Sequence, residues 1–183
     1  MYFSVFGVKI YISFFFCIMV LLYILLDTSC LAIYVLLASF LHEIGHIFAL
    51  LVIKRVPQEI NFVLGGIEIK TKSNESNIFV SLSGIMVNFL LFLFYYKVSL
   101  VFSATNLLLG VFNLLPLYGL DGATVLLEIL KNKTKAQKII CIITITFSLV
   151  LIFYTLFLNN TSVKCSLIII SVYFLLFGIL NYS

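Results

Sequence analysis

The sequence predicts an all-α polytopic membrane protein of about six transmembrane helices, and three observations lead there. Apolar residues make up 63% of the 183-residue chain, charged residues only 10%, and the mean hydropathy is +1.25, values far from those of soluble domains. Apolar runs recur at residues 8–26, 31–53, 77–96, 99–130, 139–158 and 164–182, most of them close to or above the ~20 residues that a helix needs to cross a bilayer. Lys and Arg cluster between those runs, where they set orientation.

The first run, Val8 to Leu26, is long for a signal peptide and lacks a small-residue cleavage site, so it is expected to stay as the first span. The second, Leu31 to Ile53, carries no acidic or basic side chain outside His42-Glu43-Ile44-Gly45-His46. Between the second and third spans the texture changes. Ile60, Phe62 and Leu64 alternate with polar or smaller residues, Gly65-Gly66 follows, and Ile67, Ile69 and Thr71 alternate with Glu68, Lys70 and Lys72. Period-two patterning around Gly-Gly predicts a small β-hairpin.

The fourth run is too long for one straight helix. Asn113-Leu114-Leu115-Pro116-Leu117-Tyr118-Gly119 breaks it, and a short helix is expected from about Ala123 to Lys131. Irregular backbone at that depth must line protein or a wet cavity. The outer spans are 8–26, 139–158 and 164–182, around a core of 31–131. The whole is read as a single membrane domain, 1–183, with no soluble accessory domain.

With the N-terminus inside, Lys9, Lys54, Arg55, Lys70, Lys72, Lys131, Lys133, Lys135 and Lys138 face the cytoplasm and only Lys97 and Lys164 lie outside. Both termini are therefore expected in the cytoplasm. The net charge of +4 is accounted for by these clusters, and no nucleic-acid partner is expected. Of the four cysteines, Cys17 and Cys141 fall inside spans; a Cys30 to Cys165 disulfide is geometrically conceivable, with unpaired thiols the simpler reading.

The chemistry centres on the two histidines, the only ones in the chain. Ionisable groups inside a span are costly and point to function. On a helix, His42 and His46 share a face and can offer two imidazoles to one metal, while Glu43 is close enough to act on water there. A catalytic zinc ion usually takes three protein ligands. Among the few buried carboxylates, Asp121 is the strongest candidate. His46 lies eight residues before Lys54 and Asp121 ten before Lys131, which puts both roughly 12 to 15 Å from the cytoplasmic ends of their segments. Glu128 lies nearer the face and is expected to snorkel.

Plainer roles stand beside these. The histidines could be polar residues satisfied between helices, Asp121 could be the N-cap of the helix after it, and Gly45 could serve close packing. Asn88, within Ser83-Gly84-Ile85-Met86-Val87-Asn88, could bond a neighbouring helix or hold an unwound substrate backbone. Asn113 has the same ambiguity.

These residues resemble the site-2 protease family of intramembrane zinc metalloproteases, within it the short bacterial group typified by stage IV sporulation protein FB. The elements that carry the resemblance are His42 to His46, Ser83 to Asn88, and Asn113-Leu114-Leu115-Pro116 running into Leu120-Asp121-Gly122. Met86, Val87 and the Tyr118-Gly119 stretch depart from the family's usual small residues and prolines. The resemblance implies one zinc ion per chain on His42, His46 and Asp121, with Glu43 as catalytic acid and base. It also implies a cavity near Asn88 and Asn113, and Gly65 and Gly66 are grouped with these as candidate substrate-binding or cavity-lining positions. The implied substrate is a single-span membrane protein cut within or near its span, in a bacterial cell membrane; any control is expected to come through regulatory membrane proteins or through substrate presentation. The alternative class is a membrane metal transporter or sensor using the same ligands. It would need further ligands along a path, and the chain has no third histidine.

Overall fold

A computed structural model describes residues 2–5, 7–27, 29, 31–63, 66–71, 77–130 and 132–182. Among these residues eleven elements follow one another. They are strands β1 (Tyr2–Val5) and β2 (Val8–Ile12), helices α1 (Phe14–Leu26) and α2 (Leu31–Val52), strands β3 (Pro57–Val63) and β4 (Gly66–Thr71), and helices α3 (Ile78–Tyr95), α4 (Leu100–Leu114), α5 (Asp121–Ile129), α6 (Lys133–Thr155) and α7 (Thr161–Leu180). They fall into two compact units, Met1–Val111 and Phe112–Ser183.

In the first unit the expected hairpin is half of a larger sheet. The four strands run in the order β1-β2-β3-β4, with β2 parallel to β3 and the other pairs antiparallel. This corrects the first span, which was expected to begin at Val8. Val8, Ile10 and Ile12 are β-branched and alternate with Lys9 and Tyr11, so a period-two strand hides inside an apolar run. The remaining helix α1 has 13 residues, about 20 Å of rise. It is tied to the sheet by Ser13 N–H donating to the Phe62 carbonyl at 2.9 Å and by the Phe16 and Phe62 rings, 5.5 Å apart.

Among the described residues four helices are long and apolar enough to cross a membrane: Leu31–Val52, Ile78–Tyr95, Lys133–Thr155 and, over Val163–Leu180, α7; α1 and α4 are shorter apolar helices. Four of the six expected spans thus coincide with helices of spanning length, and α1 and α4 stand in the first and fourth runs as shorter apolar helices. Helix α2 is anchored where it begins, because the Asp27 carboxylate accepts from Ser29 Oγ at 2.6 Å and from the Ala32 amide at 2.7 Å. The Ser29 hydroxyl, then the Ala32 and Ser29 amides, hold that carboxyl below the usual aspartate range. Helix α4 packs on α3 through Ser103 Oγ donating to the Phe92 carbonyl at 2.9 Å and through the Tyr95 and Phe102 rings, 5.1 Å apart.

The second unit contains the broken segment. Helix α4 ends at Leu114, the chain turns through Pro116 and Gly119 (φ +92°), and α5 starts at Asp121. Helix α6 starts six residues before the expected 139, because the Asn132 side chain accepts from the Lys135 amide at 3.1 Å and caps a polar first turn. A seam of small and hydroxylated residues, Ala136, Cys141, Thr144 and Ser148 of α6 with Ser171 of α7, is fully buried, the packing expected between helices in lipid. Glu128 forms an ion pair with Lys133 at 4.0 Å. Cys17, Cys141 and Cys165 are free thiols, whereas Cys30 and Lys131 lie outside the described residues.

Candidate metal centre

The buried face of α2 is built from Ala32, Ala38, His42, Gly45, His46, Ala49 and Leu50. Four of these seven are Ala or Gly, so a neighbouring backbone can approach closely. That neighbour is α3. A Cβ on Gly45 would lie 2.8 Å from Val87 Cγ2 and 3.0 Å from the Ser83 carbonyl oxygen, so Gly45 does serve close packing.

The same closeness brings α3 under the imidazoles. A Cβ on Gly84 would lie 2.6 Å from His46 Nε2 and 2.8 Å from His42 Cε1. Both rings are buried, at 5% exposure for His42 and 8% for His46. His46 Nδ1 is 2.8 Å from the Val80 carbonyl oxygen. A carbonyl only accepts, so the proton is on Nδ1 and Nε2 turns its lone pair inward. Ser83 Oγ, which donates to the same carbonyl at 2.6 Å, lies 3.4 Å from Nδ1 and accepts from it.

The two Nε2 atoms are 3.1 Å apart, with the rings nearly perpendicular at 86°. Two nitrogens bound to one tetrahedral ion at ~2.05 Å would be about 3.3 Å apart. Ring nitrogens facing each other this closely need a proton or a cation between them. The pair thus fits a metal as its two-imidazole half. Glu43, next to His42 on the same helix, is half-buried.

Asp121, in the second unit, is the first residue of α5 rather than its N-cap. Leu120 takes the cap position without a side-chain bond, so the capping role the sequence left open is not used. Gly122 is required beside it, because a Cβ there would run into the Leu114 and Leu115 carbonyls. Thr124 Oγ1 donates to the Asp121 carbonyl at 2.7 Å.

Asn88 lies one turn beyond Gly84 on α3, fully buried, and neither atom of its amide has a hydrogen-bond partner among the described residues. It is therefore not bonded across to a neighbouring helix. Asn113 is on the last turn of α4, and Gly66 opens β4, the edge of the sheet. Gly65 lies outside the described residues. Gly84 stands in the sequence within the Ser83 to Asn88 element, but its approach to the imidazoles depends on which side chains face it, and the Val80 carbonyl, being main chain, carries no sequence signal of its own.

A family model, peptidase family M50, matches residues 96–153, a stretch that includes Asp121 and ends within α6. Among solved structures, the site-2 protease from Methanocaldococcus jannaschii is similar over 100% of this chain and 95% of its own, with a TM-score of 0.70 and 22% identity. The chain shares that protease's fold. No curated protein matches it in sequence. The family model covers the broken segment and the fold match covers the whole chain, including the helix that bears His42 and His46.

Proposed function

We propose that this chain is an intramembrane zinc metalloprotease that hydrolyses a peptide bond within or near the span of a single-span membrane protein. The observation that carries the reading is the imidazole pair. Two Nε2 atoms 3.1 Å apart, one aimed by the Val80 carbonyl, lie inside a 22-residue apolar helix with Glu43 beside them. The fold match and the M50 model over the Asp121 segment support it.

In this reading His42, His46 and Asp121 hold one zinc ion, two imidazoles and a carboxylate being a common catalytic set. When bound, zinc supplies Lewis acidity at the scissile carbonyl and makes water more acidic. Glu43 takes a proton from the attacking water and delivers it to the leaving amine, general base then general acid. Gly84 and Val80 hold the rings in place. Water reaches the site from the cytoplasmic side, where the charge distribution puts both termini. The finer placement, in the sporulation-type bacterial group and in regulated intramembrane proteolysis, rests on the order of the three motifs and belongs to the same proposal.

Metal content tests the ligand set. Purified wild-type protein is expected to hold one zinc per chain, and Asp121→Asn to lose affinity by about 10-fold or more. Equal affinity in the two proteins would remove Asp121 from the site.

A substrate helix hides its carbonyls in its own hydrogen bonds and must unwind before cleavage. Strand β4 is an edge, with Glu68 and Lys70 outward and Ile67 and Ile69 more covered, so its outer backbone groups suit strand addition by an extended substrate segment. Proline or charge substitutions at Ile67 and Ile69 are expected to lower cleavage several-fold without loss of zinc, scored by parallel cleavage and metal assays. Unchanged cleavage would sink the docking role.

A further inference from the structure

The segment from 115 to 120 that leads into Asp121 has no regular secondary structure. Irregular backbone at membrane depth must find its own hydrogen-bond partners. Most of those here are local: Leu115 N–H donates to the Phe112 carbonyl at 3.1 Å, Leu117 N–H to Leu115 at 2.8 Å, and Leu120 N–H to Leu117 at 3.0 Å. Among the described residues, a bond to another helix comes from Tyr118. The Tyr118 amide donates to Thr144 Oγ1 of α6 at 2.9 Å.

Thr144 is suited to that bond. Its side chain is fully buried, and its hydroxyl donates to the Ile140 carbonyl of its own helix at 2.7 Å. A hydroxyl has one proton, so with that proton committed the oxygen faces the loop as an acceptor only. Leu117, the residue before the bonded amide, is 1% exposed, and Gly122 after Asp121 admits no side chain. Between these two fixed points lies Asp121.

We propose that Thr144 is a positioning residue for Asp121, setting the height of the metal-ligand loop against α6 through the Tyr118 amide. The inference rests on the reading of Asp121 as a zinc ligand. Outer groups that hydrogen-bond a ligand directly typically account for about 10–100-fold in metal affinity; Thr144 acts one step further out, through the Tyr118 amide, so the lower end of that range applies. Valine has the shape of threonine without the acceptor, so Thr144→Val isolates the bond. Thr144→Ser keeps the acceptor. Ser148, equally buried and donating to the Thr144 carbonyl at 2.7 Å, is a control for α6 packing alone.

The experiment is zinc affinity by chelator competition on the purified full chain, with a thermal melt for each variant. Thr144→Val is expected to weaken zinc binding by about 10-fold, the lower end for outer groups, Thr144→Ser to restore it, and Ser148→Ala to leave it unchanged. Wild-type affinity in Thr144→Val overturns the proposal, as does an equal loss in Thr144→Ser or Ser148→Ala, because the effect then follows packing. If Asp121→Asn binds zinc like wild type, the ligand reading has failed instead. Should Thr144→Val not fold, amide exchange in the wild-type protein decides: the Tyr118 amide is expected to be protected, and rapid exchange there overturns the proposal.

Discussion

Replacing Gly84 with alanine is expected to abolish tight zinc binding while leaving most of the fold in place. The added methyl would sit 2.6 Å from His46 Nε2, 2.7 Å from His46 Cε1 and 2.8 Å from His42 Cε1, all well inside van der Waals contact. A flexible side chain could move aside, but these rings cannot do so independently. His46 is held by the Val80 carbonyl and its Nε2 faces that of His42. Either the rings rotate and lose their shared focus, or α3 backs away from α2 and the Gly45 contact opens. Overpacking of this kind costs about 1–3 kcal/mol of stability, and the loss of two oriented donors should weaken zinc by about 100-fold or more, the upper end for perturbed ligand orientation. Gly110→Ala is the matched control. Its Cβ would meet Asn88 Cβ at 3.3 Å and no imidazole, so zinc affinity should hold. Chelator competition on both proteins reads the difference.

Glu43→Gln is expected to separate binding from chemistry. The substitution keeps the size and half-buried position of the side chain but removes the carboxylate that accepts and returns a proton. General acid–base assistance is worth about 10²–10⁴-fold, and here both proton transfers depend on one group. Cleavage should therefore fall by about 10³-fold or more, with zinc content unchanged because the imidazoles and their Val80 anchor are intact. Loss of zinc in parallel with loss of cleavage would instead make Glu43 part of the metal site.

Much of the proposed site is legible in the sequence because the bilayer makes polarity conspicuous. His42, Glu43 and His46 stand alone in a long apolar run, and the Pro116 and Gly119 break announces itself by backbone chemistry. The β3–β4 hairpin showed through its alternation. The strand at Val8–Ile12 did not, since a β-branched strand and the start of a hydrophobic helix share the same apolar residues and differ only in period. Asp121 was ambiguous between cap and ligand, and only the assignment of the cap position to Leu120 removed the first use. Ser83 to Asn88 is legible as a motif, but the approach of Gly84 to the imidazoles and the roles of the Val80 carbonyl and Thr144 are not. A glycine, a main-chain oxygen and a hydroxyl in a span acquire roles from what they face, which is a property of the packed helices.

The most direct test of the central claim is cleavage of a single-span membrane substrate by the purified chain in lipid vesicles, with zinc content measured on the same preparation. Cleavage within or beside the span is expected to track zinc: lost on chelation, regained when one equivalent per chain is restored, and absent throughout in Glu43→Gln. Cleavage that persists after zinc has been removed, or that Glu43→Gln carries out at the wild-type rate, would contradict it.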